Sequence, residues 1–196
     1  MDRLQLSGAA LLRTSRLLLR DFHDHDAEKI ADYFGEHAAQ PHILRRQRRS
    51  QEWGSYVGRA MEYASLVPFA SRRYLALAVV LHDTQELIGM CSLWDAHPKS
   101  TRARAGWHFS SRFSGLGYAT EACGELIRFA FQERGVARVY ADCFESNAAN
   151  VRVFGKLGMR PSPYLPLLKW LLAIKYSESK PIVRYTIENP LGDACE

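Results

Sequence analysis

Two hydrophobic patterns alternate along this chain of 196 residues. Short apolar runs bounded by charged or turn-forming residues are typical of buried strands, whereas apolar residues three or four positions apart are typical of helices with one buried face. The runs predict strands at 16–22, Tyr74–Leu81, Leu87–Trp94, 103–109, 136–144 and 182–187. The helical spacing predicts helices from Asp24 or Asp26 to about Phe34, at 51–66, from Tyr118 to about Arg134, and around Val151, Phe154 and Leu157.

Turn-forming residues divide these elements and set their order. Gly35, Gly135 and Gly158 follow apolar periodic segments, where glycine commonly ends a helix. The turn at 82–84 joins two strands into a hairpin. The apolar segment 165–174 has no decisive period. With that segment counted as a further strand, the order β-α-α-β-β-β-α-β-α-β-β predicts an α/β fold with a mixed sheet.

Composition is that of one globular domain, which we assign to residues 1–196. The chain is 47% hydrophobic and 24% charged, and no linker or repeat divides it. The formal charge of +5 allows an anionic ligand or a nucleic-acid contact and requires neither. The longest apolar stretch is about half of what a membrane span needs, and the first residues lack the uncharged core of a signal peptide. We therefore predict a cytoplasmic protein with no membrane partner.

The four cysteines also fit a cytoplasmic protein. None of Cys91, Cys123, Cys143 and Cys195 forms a CxxC pair, and their spacing suits neither a zinc site nor a disulfide framework. We interpret them as buried thiols of a reducing compartment.

A glycine-rich turn is the most informative segment. The predicted strand that ends at Phe109 is followed by Gly115 and Gly117, and a helix starts at Tyr118. The first amides of a helix and its dipole form an anion site suited to phosphate, and Arg112 adds a positive charge. An ordinary strand–turn–helix junction is the alternative. The spacing matches neither a Walker loop nor a dinucleotide-binding fingerprint.

Four segments together carry a family resemblance. The residues RFSGLG at 112–117 match the R/Q-x-x-G-x-G/A signature of the GNAT superfamily of acetyl-CoA-dependent N-acetyltransferases, and YATEA at 118–122 is similar to its RimJ/RimL branch. The segment 146–159 resembles that branch's N-x-x-S…K-L-G-F helix. The strand at 16–22 and Leu87-Ile88-Gly89 resemble its opening strand and its I-G strand. The resemblance runs from about Arg16 to Met159.

The resemblance implies a fold, a cosubstrate and a site. The fold is a mostly antiparallel central sheet flanked by helices, and the cosubstrate is acetyl-CoA, with no metal. The pantetheine arm pairs with the predicted strand where it splays from its neighbour, and the pyrophosphate lies on the amides of the turn. The implied cofactor-binding residues are Trp107, His108, Phe109, Arg112, Phe113, Ser114, Gly115, Leu116, Gly117, Tyr118, Ala119, Asn147, Asn150 and Phe154.

The chain departs from the family pattern where side chains do chemistry. Arg104 stands where many members have Glu, Phe154 where many have a Tyr proton donor, and Asn150 where the branch often has Ser. His108 is one candidate base, since imidazole titrates near neutral pH, although it could be a packed histidine of the sheet. Glu145 is the other, acting through water, although it could cap a helix. We interpret Glu121, in the first turn of a predicted helix, as structural.

Two charged clusters have ordinary explanations. The sequence His23-Asp24-His25-Asp26 has the composition of metal ligands, but acidic residues also suit a helix N-terminus, so we predict no metal site. The basic run 45–49 is typical of a solvated loop. In GNAT-like folds this loop borders the acceptor site, where it could steer an acidic acceptor.

Three functions compete. The leading one is transfer of acetyl from acetyl-CoA by direct attack of a primary amine, on a protein N-terminus or a small molecule. The second is a GNAT-fold acyl-CoA sensor or interaction protein that has lost catalysis. A nucleic-acid-binding role is disfavoured, because the basic run lacks interleaved aromatic residues. The segment 161–180 is expected to shape the acceptor pocket or a homodimer contact.

Overall fold

A computed structural model describes residues 11–37, 50–95, 101–162, 171, 174 and 181–190. The elements in chain order are β1 (Leu12–Arg13), β2 (Leu17–Arg20), α1 (Asp24–His37), α2 (Ser50–Leu66), β3 (Tyr74–Leu81), β4 (Leu87–Trp94), β5 (Arg102–Phe109), α3 (Tyr118–Gln132), β6 (Arg138–Phe144), α4 (Ala148–Lys156), β7 (Arg160–Pro161) and β8 (Ile182–Glu188). None of the described helices is long and apolar enough to cross a membrane.

The strands form one sheet in the order β1-β2-β3-β4-β5-β6-β8-β7. All neighbours are antiparallel except β5 and β6, which are parallel. The predicted hairpin is β3–β4, which pairs Tyr74 with Trp94 at its open end. The predicted α/β class with a mixed, mostly antiparallel sheet is confirmed.

Helices cover both faces of the sheet, because side chains alternate along each strand. In β3, Leu77 and Val79 belong to a core cluster with α3 and α4, represented by Leu126 and Phe154. The intervening Ala76, Ala78 and Val80 belong to a second cluster with Ile30 of α1 and Val57 of α2. The sheet therefore separates an α3/α4 layer from an α1/α2 layer.

Several predicted boundaries were wrong. Helix α1 continues through Gly35 to His37. A glycine ends a helix where the chain turns to positive φ, as at Gly135 (63°) and Gly158 (75°), and can otherwise be accommodated within one. Strand β6 starts at Arg138 rather than Val136. The two-residue strands β1 and β7 are too short to leave a pattern. Within the undecided segment 165–174, residues 171 and 174 are helical and exposed.

The acidic start of α1 is structural, as the sequence predicted. The carboxylate of Asp26 accepts the N–H of His23 at 2.8 Å, just before the helix. It also pairs with Arg20 at 2.6 Å, and both side chains are nearly buried. Partial burial alone would raise the pKa of Asp26, but the hydrogen bonds from Arg20 and His23 lower it below its ordinary value. Asp26 therefore joins α1 to β2 as a carboxylate.

Candidate active site

The parallel strands β5 and β6 split apart, and the gap between them is called the cleft below. Their pairing covers only three positions and ends where Arg104 faces Tyr140. Beyond that point β4 continues along β5 to Phe109, and β8 continues along β6 to Phe144. Two pairs of strands therefore diverge from Arg104 onward, earlier than the splay predicted near Trp107. An extended ligand can lie along a strand edge of this kind.

The glycine-rich turn closes one end of the cleft. After β5, residues Ser111–Phe113 form one 3-10 turn, and Gly115 (φ 82°) and Gly117 (φ 83°) are both left-handed. Gly117 immediately precedes α3, and no side chain among the described residues caps that helix. Its first amides therefore have no intrahelical acceptor and can bind an anion.

Positive charge lies on both sides of the turn. The Arg112 guanidinium is largely exposed, with Nη1 3.9 Å from the nearer oxygen of Glu86. Arg16, which immediately precedes β2, has one nitrogen 3.5 Å from the place that a Cβ on Gly117 would take. This local field favours an anionic ligand.

The α3/α4 side of the cleft is packed with aromatic residues. The Trp107 ring contacts Phe154 edge-on at 5.3 Å, and Phe154 stacks on Tyr185 of β8 at 4.4 Å between centroids. Trp107 Nε1 donates to Asn150 Oδ1 at 3.2 Å, and the Asn150 N–H donates to Asn147 Oδ1 at 3.0 Å. Phe154 is 1% exposed, so its side chain is part of the core. Cofactor contacts by Asn147, Asn150 and Phe154 stay predictions.

The two candidate bases lie on different arms of the split. His108 is on β5 and, by strand alternation, on the same α1/α2 face as Arg104. Glu145 directly follows β6, is exposed, and its N–H donates to the Pro181 carbonyl at 3.1 Å. Strand register therefore places the two residues at similar heights on opposite arms.

The α1/α2 side carries a polar cluster that the sequence analysis missed. The Arg104 guanidinium lies 4.3 Å above the Trp94 ring, and Trp94 stacks on Tyr74 at 5.4 Å. The hydroxyl of Tyr74 donates to that of Tyr56 from α2. Burial raises the pKa of Tyr56 to about 12, so this phenol is protonated at neutral pH. These four residues come from four different elements, α2, β3, β4 and β5, and share no motif.

The described cysteines are poor nucleophiles. Cys91, Cys123 and Cys143 are free and buried. Burial raises the pKa of Cys91 to about 12, and burial together with the neighbouring Asp142 does the same for Cys143. Thiols, rather than thiolates, are therefore present at neutral pH.

The remaining features of the sequence analysis are a possible metal site and several segments that lie outside the described residues. No three His, Cys, Asp or Glu side chains of the described residues are grouped as a metal site. The basic run 45–49 and Cys195 lie outside the described residues. Most of the segment 161–180 does as well.

Comparison with known proteins decides the family. The model of the acetyltransferase (GNAT) domain matches residues 16–160, well over half of the chain. This chain belongs to the GNAT acetyltransferase family. GNAT acetyltransferases use acetyl-CoA, and relatives of this chain are N-acetyltransferases, so the protein is an N-acetyltransferase.

Individual relatives support this GNAT assignment. An uncharacterized N-acetyltransferase of Bacillus subtilis, YnaD, is 26% identical over 76% of this chain and 82% of its own length. The [ribosomal protein uS5]-alanine N-acetyltransferase of Escherichia coli is 25% identical over 78% of this chain and 79% of its own. A GNAT-family acetyltransferase structure from Bacillus anthracis superposes with a TM-score of 0.72 at 23% identity, covering 91% of this chain and 98% of the other. The resemblance to the RimJ/RimL branch is thereby confirmed.

Proposed function

We propose that this GNAT protein transfers the acetyl group of acetyl-CoA to the primary amine of a protein N-terminus. One arrangement carries the proposal: a split strand pair ends beside an uncapped helix terminus with two left-handed glycines. The edge of β5 suits an extended pantetheine arm. The terminus and its flanking arginines suit a pyrophosphate. The acceptor class is supported by the E. coli relative that acetylates the alanine of a ribosomal protein.

The reaction we propose is direct transfer. The amine nitrogen attacks the thioester carbonyl carbon, so that a C–N bond forms and the C–S bond breaks. The amine loses a proton, and the CoA thiolate gains one. Direct transfer is supported by the state of the described cysteines, because a protonated, buried thiol is a poor acyl acceptor.

We propose His108 as the base that removes the proton. It lies beyond the split on β5, on the face away from α3 and α4. An imidazole is well suited to proton transfer near neutral pH. Glu145, on the opposite arm, is the second candidate and would act through water. The phenol that many family members use is absent at Phe154, so the thiolate takes its proton from solvent or from another group.

Binding and turnover test the proposal on one sample. We expect calorimetry to show one site for acetyl-CoA and for CoA. Thiol release should follow with peptides that begin with alanine, and it should be weaker with small amines. Binding without turnover on any acceptor would favour the sensor alternative. No binding would contradict the site assignment.

Two variants test the base. Replacing a general base typically lowers the rate by about a hundredfold or more, so His108→Gln should lower kcat by that order. Glu145→Gln should change kcat less. Loss of activity in the Glu145 variant alone would assign proton removal to Glu145 instead.

A further inference from the structure

A carboxylate in the first turn of α3 is bound by residues from the start of the chain. Glu121 Oε1 accepts from the Thr14 hydroxyl at 2.5 Å, the Ser15 hydroxyl at 3.2 Å and the Arg16 N–H at 3.0 Å. Its other oxygen accepts from Arg16 Nε at 2.7 Å. Both oxygens are therefore engaged by a segment that lies more than 100 residues away in sequence.

The same arginine contacts the glycine-rich turn. Arg16 Nη1 donates to the Leu116 carbonyl at 3.2 Å, and its guanidinium carbon lies 4.5 Å from the centre of the Tyr118 ring. Arg16 also flanks Gly117, as described above. One side chain thus contacts Leu116 and Tyr118 and lies beside Gly117 between them, at the point where the turn becomes α3.

The charges explain why this contact would help an anion to bind. Partial burial alone would raise the pKa of Glu121, but hydrogen bonds from Thr14 and Arg16 lower it below its ordinary value, so the group is a carboxylate at neutral pH. A carboxylate in a first helical turn interacts with the same dipole that would attract a phosphate. Pairing it with Arg16 at 2.6 Å offsets its repulsion of that phosphate.

We infer that Arg16 and Glu121 are positioning residues that hold the turn at residues 115–118 in the shape that receives the pyrophosphate of acetyl-CoA. The inference rests on the proposed function. Glu121 orients Arg16, and Arg16 fixes the Leu116 carbonyl and the Tyr118 ring on either side of Gly117. The pair acts through the main chain of the turn and takes no part in proton transfer.

The helix itself offers a matched control. One turn further along α3, Glu125 pairs with Arg128 at 2.7 Å. Exposure of the two side chains is 14% and 43% there, against 17% and 47% for Glu121 and Arg16. Glu125→Gln therefore removes a comparable ion pair from the same helix but makes no contact with the turn.

The test compares acetyl-CoA with acetyl-pantetheine, which lacks the pyrophosphate. Glu121→Gln should raise both the Kd and the KM for acetyl-CoA about tenfold, the equivalent of about 1.4 kcal/mol, with kcat unchanged. Its kcat/KM for acetyl-pantetheine should stay within about twofold of wild type. The control Glu125→Gln should leave all of these values within about twofold.

Further measurements separate a positioning role from a purely structural one. Arg16→Gln combined with Glu121→Gln should be no worse than either change alone, because the residues act as a unit. If Glu121→Gln fails to fold, Arg16→Lys keeps the charge, loses the planar fork and should show the same selective loss. Equal losses with both substrates, or equal effects at Glu121 and Glu125, would overturn the inference. If the wild-type protein fails to bind CoA, the proposed function itself is wrong.

Discussion

The two sides of the cleft are built in different ways. The proposed cofactor side, meaning the glycine-rich turn and the free edge of β5, consists of main-chain features: two left-handed glycines, an uncapped helix start and a strand edge. On the α1/α2 side, side chains from distant segments meet, as Arg104, Trp94, Tyr74 and Tyr56 do. A site made of main chain tolerates side-chain changes, whereas a site made of side chains is redefined by each of them. This difference explains how the chain can keep the GNAT turn while departing from the family at Arg104.

The largest effect is expected far from the turn, in the buried pair that anchors α1. Asp26→Asn leaves Arg20 buried without its counter-ion, which typically costs about 3 kcal/mol or more of the free energy of unfolding. Denaturant unfolding at neutral pH measures this loss. The Kd for acetyl-CoA of the folded variant should be unchanged, and a weakened Kd would contradict the separation of the two sides.

The same pair predicts a direction for acid sensitivity. Because the pKa of Asp26 is lower in the folded chain than in the unfolded one, Asp26 contributes fully to stability at any pH above its unfolded pKa. This contribution is lost as the pH falls through the folded pKa. Wild-type stability should therefore fall more steeply than that of Asp26→Asn in acid, and parallel curves would count against this assignment.

The second effect tests the main-chain character of the cofactor side. A β-branched residue is strained at the φ of 83° that Gly117 adopts, so Gly117→Val should weaken acetyl-CoA binding by about tenfold or more. Calorimetry gives the affinity directly. Gly124→Ala, within α3 itself, is the control, because the added Cβ would lie at an ordinary 3.6 Å from the Leu157 side chain that follows α4. Equal affinities of the two variants for acetyl-CoA would show that the turn is not part of the binding site.

A smaller effect is expected on the other side. Arg104→Gln removes the cation above Trp94 and should change the KM for the acceptor peptide by about three- to tenfold, a range typical of losing one polar contact. The Kd for acetyl-CoA should stay within error. Steady-state kinetics measures the KM for acetyl-CoA at a fixed peptide concentration, and then the KM for the peptide at a fixed acetyl-CoA concentration. A change in the KM for acetyl-CoA alone would show that Arg104 acts on the cofactor rather than on the acceptor.

The smallest effect is expected at Cys143. This thiol lies on β6, close to the split, but it is buried and protonated. If transfer is direct, Cys143→Ser should keep kcat within about threefold, the difference reflecting only the altered packing of the site. Loss of all activity, or an acetylated cysteine in a quenched sample, would point to a covalent step instead.

A feature could be predicted from the sequence when the residues that form it lie close together along the chain. Strands β3 and β4 were predicted to the residue because each is an apolar run with a clear turn between them. The glycine-rich turn was predicted because its requirement for left-handed backbone is local. Glu121 was interpreted only through the dipole of its own helix, since its partners Thr14, Ser15 and Arg16 are distant in sequence. The cluster around Arg104 was missed for the same reason.

The sequence by itself determined the α/β class, most of the strands and helices, and a helix start suited to an anion. These depend on hydrophobic period and on backbone preferences, which act over a few residues. Only the tertiary structure decided where β5 leaves β6, which aromatic rings pack against each other beside the split, and that an arginine before β2 contacts a turn after β5. Such contacts depend on how the elements pack in the sheet and its two helical layers, and no local pattern records them.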